Sequence, residues 1–149
     1  MARRAQAQPG LKPGAVFNYS YLWHREFAAG RIEGRKDRPA VALAVAVSDR
    51  DGRAHVMALP VTHSRPSNPD FGVELPAATK QLLGLDNAPS WVITTEAVRF
   101  AWPGADVRRV PGRSGPLYGY VSAKLLQTIA KSFLLNRQRG GTVSFDRYE

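Results

Sequence analysis

Two short stretches hold the side chains that phosphodiester chemistry requires: Glu33-Gly34-Arg35-Lys36-Asp37-Arg38-Pro39-Ala40 and Leu59-Pro60-Val61-Thr62-His63-Ser64. An arginine offers a planar, permanently charged fork matched to phosphate oxygens, and a threonine hydroxyl can donate to one of them. Carboxylate and imidazole groups can take and return protons near neutrality. If the strand beginning at Pro39 pairs antiparallel with the strand ending at Val61, Arg38 and Thr62 become neighbours. Arg38 is then the candidate stabiliser of charge on phosphorus, Thr62 a donor to a phosphate oxygen, and Glu33 the candidate base. His63, His24 and Glu96 are further acid or base candidates. Arg35, Lys36, Ser64, Arg108 and Arg109 are candidate contacts to a polyanion, with Arg113 near the last two. Each also has an ordinary use: an Arg before Pro can cap a strand, a Thr can sit in a turn, and a loop Glu can be solvated.

The elements that must position these groups are strands in sequence. Residues 15–23 place Phe17, Tyr19, Tyr21 and Trp23 on one side at the strand period of two. Residues 24–38 mix charge with glycine and predict a long loop. Residues 39–47 alternate Ala with Val or Leu and predict a central strand covered on both faces, returned through the turn at 48–52 by residues 54–61. A short strand is expected at 72–75, a brief helix capped by Thr79 through Leu83, and one or two strands across 91–95 and 98–102, interrupted near Glu96. Residues 117–121 predict a last strand. Ser122 then caps an amphipathic helix carrying Leu125, Leu126, Ile129, Ala130, Phe133 and Leu134 at helical spacing. The expected architecture is mainly β (α+β): a small twisted antiparallel barrel or half-barrel closed by that C-terminal amphipathic helix. One domain spans 14–140, with a flexible basic arm at 1–13 and a polar tail at 141–149.

Composition bounds the rest. The chain has 149 residues, 21 Lys plus Arg against 12 Asp plus Glu, a net charge of +9 and no cysteine. Disulfides, thiol catalysis and cysteine-ligated zinc are excluded. The excess of cations favours a polyanionic partner, whether nucleic acid, an acidic protein or an anionic surface. No export signal is visible, and the longest apolar run, 40–47, is far short of the ~20 residues that span a bilayer. A cytoplasmic protein is expected. No side-chain cluster has metal-ligand spacing, no glycine loop cradles a phosphate, and no cofactor is indicated.

The order of these motifs resembles the MazF/PemK family of toxin endoribonucleases. The likeness covers roughly 14–134. It runs through Gly14 before an aromatic strand, Glu33 ahead of Arg38-Pro39-Ala40, an apolar strand, Leu59-Pro60-Val61-Thr62, and a terminal strand and helix. The resemblance implies an SH3-like barrel, a homodimer, and cleavage of single-stranded RNA without a metal, leaving 2′,3′-cyclic phosphate and 5′-hydroxyl ends. It also implies neutralisation by a cognate acidic antitoxin. Its motif residues fall on Arg38, Thr62 and Glu33. This chain departs from the family pattern in a longer first loop that includes His24-Arg25-Glu26, in Ile93-Thr94-Thr95-Glu96 after the strand at Trp91, and in the polar tail. The same barrel without catalysis would be a nucleic-acid- or protein-binding module, including DNA binding; a subunit that only self-associates is the third possibility.

Overall fold

The computed structural model describes residues 11–30 and 36–147; the first ten residues of the expected arm, Glu33 and Arg35 lie outside the described residues. The elements are β1 (Ala15–Ser20), α1 (His24–Ala28), β2 (Asp37–Val47), β3 (Ala54–Thr62), a 3-10 turn (Pro69–Phe71), β4 (Gly72–Glu74) and α2 (Ala77–Leu83). They continue with β5 (Trp91–Ile93), β6 (Glu96–Ala101), β7 (Val107–Arg108), β8 (Leu117–Tyr120), α3 (Ala123–Gln138) and β9 (Val143–Asp146). The architecture is mainly antiparallel β with helices, the α+β class expected. Among the described residues the strand path runs β4-β5-β3-β2-β1-β7, with β8 also on β1, and does not close on itself.

The strand period of two sorts the core onto both faces of β1, β2 and β3. Phe17, Tyr19, Tyr21, Phe100 and Trp102 pack on one face, against Ala40, Ala42 and Ala58. Those alanines leave room for rings: Phe17 meets Trp102 edge-on at 5.1 Å, and Tyr19 stacks on Phe100 at 4.8 Å. Each such pair adds ~0.5–1.5 kcal/mol beyond its buried area. Val16, Val41, Leu59, Val61 and Val92 form the other face, covered by Ile129 and Phe133 of α3 and Leu83 of α2. Helix α3 starts where Ser122 Oγ accepts the Leu125 N–H at 3.1 Å, an N-cap contact of ~1 kcal/mol. It is pinned further along by buried Asn136, whose amide donates to the Asp70 carbonyl at 3.0 Å and to Thr94 Oγ1 at 3.1 Å.

Four local expectations change. The loop predicted at 24–38 contains α1, a single turn closed by the Trp23 N–H donating to Glu26 Oε1 at 3.3 Å; five residues are too few to display a helical period. Strand β2 is buried only at Ala40, Ala42 and Val41 between them, and a bulge follows between Ala42 and Ala44, so that Val47 ends 69% exposed. Helix α2 begins at Ala77, not at a Thr79 cap, because Pro76 at φ −60° already holds the entry geometry. The segment expected as a polar tail contributes β9, parallel to β6, with Phe145 buried and stacked on Phe27 at 4.8 Å. Beyond it, buried Arg147 donates to buried Asp106 at 2.5 Å.

Candidate active site

A fork in the sheet makes the site. The β2–β3 ladder runs to Ala40 opposite Pro60 and goes no further. Continuing the register two residues would set Arg38 opposite Thr62. Instead β2 follows β1, with Tyr19 opposite Arg38, while β3 crosses to β5, with Thr62 opposite Trp91. Pro39 and Pro60 each lack the N–H a ladder needs, so pairing is weakest where the strands part. A solvent-open cleft of about 680 Å³ occupies the fork. Arg38, Thr62, His63, Ser64, Lys36 and Glu96 all line it.

Arg38 is half-buried, its guanidinium 5.2 Å from the Trp23 ring centre. Burial pulls its pKa down from the ordinary value, with the Glu26 carboxylate opposing. Its Nε is shielded from solvent without a hydrogen-bond partner among the described residues. Thr62 Oγ1 accepts the Ser64 N–H at 3.1 Å. That fixes the rotamer and leaves the hydroxyl proton to donate.

Glu96 stands at the start of β6. Its Oε2 accepts the Tyr21 hydroxyl at 3.0 Å and the His24 backbone N–H at 3.0 Å. Burial pushes its pKa above the usual carboxylate range, and these two donors oppose the push. Burial, then the neighbouring Glu96 charge, raises the Tyr21 hydroxyl well above its ordinary value, so Tyr21 remains the donor. A carboxyl whose pKa is raised by burial is a candidate for proton transfer.

Also lining the cleft, His63 Nε2 lies 2.9 Å from Asp86 Oδ2. Asp86 Oδ1 lies 2.8 Å from Nζ of Lys80, whose side chain is buried. The Lys80 hydrogen bond, ahead of the other influences, holds the Asp86 carboxyl below the usual carboxylate range.

The remaining candidates divide. Lys36 is exposed at the mouth of the cleft. His24 contributes its backbone to Glu96, while its ring lies 5.6 Å from Phe145 and does not line the cleft. Arg108 and Arg109 also lie off the cleft: Arg108 donates to the Ala105 carbonyl at 2.6 Å and Arg109 to the Arg113 carbonyl at 3.1 Å. Arg113 binds the carbonyls of Leu83, Leu117 and Tyr118, which ties α2 to β8. Trp102 belongs to the core, whereas Trp23 lines the cleft and Trp91 lies under Arg65 at 5.5 Å. Sequence reading missed Tyr21, Lys80 and Asp86 as functional side chains. The one local signal was the helix end itself: Gly84 at φ 76° turns the chain so that Asp86 comes back to Lys80.

Among the described residues no group of three or more His, Asp or Glu side chains is placed to hold a metal ion, and no helix is long and apolar enough to cross a membrane. Neither a protein-family model nor a curated protein matches the chain.

Proposed function

We propose that this chain is an endoribonuclease of the MazF/PemK kind, an open variant of the SH3-like barrel that cleaves single-stranded RNA without a metal and acts as the toxin of a toxin–antitoxin pair. The observation that carries the reading is the meeting of Arg38, Thr62 and a partly buried carboxylate, Glu96, around one solvent-open cleft at the fork between β2 and β3. In the proposed reaction the RNA's own 2′-hydroxyl attacks the adjacent phosphorus, a step closed to DNA. Arg38 stabilises the charge that accumulates on the phosphoryl oxygens, with Thr62 donating to one of them. Glu96, its pKa lifted by burial, takes the 2′-hydroxyl proton. A net charge of +9 suits both an RNA substrate and an acidic antitoxin segment. The proposed assembly is a cytoplasmic homodimer.

The test is cleavage of single-stranded RNA by the purified protein in EDTA, read as cyclic-phosphate product. Arg38→Ala should lower the rate by about 10²–10³-fold, the usual cost of removing one donor aimed at transition-state charge, with the thermal midpoint retained. Unchanged cleavage by a folded Arg38→Ala protein would reject the site. RNA binding with no product from the wild type would favour a binding module on the same scaffold.

A further inference from the structure

The geometry points to Asp86, clamped by the buried ammonium of Lys80, as the residue that positions His63 to give its proton to the departing 5′-oxygen. This assignment rests on the nuclease reading. Lys80 is only 5% exposed, and burying an ammonium is costly unless its protons are taken. All three have acceptors: Asp86 Oδ1 at 2.8 Å, Ser90 Oγ at 2.8 Å and the Ala88 carbonyl. The Ala88 N–H also donates to Asp86 Oδ1 at 3.1 Å. The carboxylate is therefore fixed on one oxygen from two directions, while the other oxygen faces His63 Nε2 at 2.9 Å. An ordinary surface ion pair, with side chains as exposed as those of His63 and Asp86, has no such buried anchor and holds no defined geometry.

The consequence is a choice of nitrogen. A carboxylate oxygen 2.9 Å from Nε2 attracts a proton on that nitrogen and repels a lone pair there, so Nδ1 becomes the nitrogen that exchanges a proton. In the proposed step the O2′–P bond forms, the P–O5′ bond breaks and Glu96 receives the 2′-hydroxyl proton. The His63 imidazolium gives its Nδ1 proton to O5′, leaving the neutral Nε2–H tautomer that Asp86 favours. Solvent then returns a proton to His63 and removes one from Glu96. Nothing in this sequence needs Lys80 or Asp86 to touch the substrate; both act through the ring.

The experiment compares a single-stranded RNA with the same RNA carrying sulfur in place of the bridging 5′-oxygen. A thiolate leaves without a proton, because its conjugate thiol is far more acidic than an alcohol. On the oxygen substrate His63→Ala should lose about 10²–10⁴-fold and Asp86→Asn about 10–100-fold. On the sulfur substrate both should recover the wild-type rate, whereas Arg38→Ala should stay slow on both. Nitrogen-15 shifts should report the Nε2–H tautomer of His63 in the wild type and a mixture in Asp86→Asn. Asp86→Asn that stays slow on the sulfur substrate, or His63→Ala that cleaves the oxygen substrate normally, would overturn the assignment while leaving the nuclease reading standing. Wild-type protein that cleaves neither substrate would remove the nuclease reading itself, and this assignment with it.

Discussion

Tyr21→Phe isolates the environment of Glu96 by deleting one oxygen atom. The ring remains in place, fully buried between Tyr19 at 6.2 Å and Trp23 at 5.3 Å. What disappears is the hydroxyl 3.0 Å from Glu96 Oε2. A hydrogen bond to a charged acceptor contributes about 1.5–3 kcal/mol, and this one favours the ionised carboxylate, opposing the burial that already raises the Glu96 pKa. Its loss should make Glu96 harder to ionise by roughly 10- to 100-fold, at 1.36 kcal/mol per factor of ten. Because a general base must be ionised, the acid limb of kcat/KM should move toward higher pH. On that limb the rate should fall by the same factor, with the plateau nearly unchanged. Stability carries the matching sign. A carboxyl whose folded pKa is raised retains a proton that the unfolded chain releases, so stability declines as pH rises through the window between the two values, and Tyr21→Phe extends the upper edge of that window. The assay is single-turnover cleavage across pH, with thermal unfolding in parallel. An acid limb that stays in place in a folded Tyr21→Phe protein would refute Glu96 as the base.

Asp86, held by Lys80 below its ordinary range, contributes stability above the unfolded carboxylate pKa that is lost as pH falls through the lowered folded value. Asp86→Asn should therefore show a shallower decline in thermal midpoint below about pH 4 than the wild type, and parallel curves would refute this. Asn136→Ala removes the amide that reaches the Asp70 carbonyl and Thr94 Oγ1; it should cost about 2–4 kcal/mol, a fall of roughly 5–12 °C in thermal midpoint, and a fall under ~1 °C would show that α3 is held elsewhere. Ending the chain after Gly140 removes β9 and the buried Arg147–Asp106 pair. A chain that keeps its cooperative unfolding and thermal midpoint after that truncation would refute an integral role for the C-terminal segment.

The parts legible in sequence are those whose geometry is local or repeats along the chain. The β2–β3 hairpin follows from an apolar run, turn residues at 48–52 and a returning run, and α3 follows from Ser122 and its apolar spacing; neither depends on distant residues. The dual burial of β1 was only half visible: the ring at every second position was plain, but Val16 reads as a core residue only once α3 lies across that face. What escaped depends on partners far away in sequence. Val143-Ser144-Phe145-Asp146 alternates like a strand, yet four residues among polar neighbours carry no signal until β6 offers an edge for parallel pairing. Lys80 carries no signal of its own in the sequence because only the fold of 84–90 surrounds it with acceptors.

The candidate site shares this division, and its prolines explain why. Pro39 beside Arg38 and Pro60 two residues before Thr62 look like sequence decoration, but each withdraws an N–H from the ladder at the level where β2 and β3 separate. A hairpin without them could continue pairing through Arg38 and Thr62, placing the two side chains on a flat sheet with no space between. With the ladder ended, β2 is claimed by β1 and β3 by β5, and the space that opens is lined by the residues flanking the prolines. Short motifs can therefore mark a site here because they terminate pairing as well as supply functional groups. Glu96 and Asp86 have no such marker. They reach the cleft on segments whose approach is set by the β3–β5 and β3–β6 pairings and by the turn at Gly84. Arg38, Thr62 and His63 are written into the hairpin and its ends, whereas Glu96 and the Lys80–Asp86 pair beside His63 are brought to the cleft by the tertiary fold.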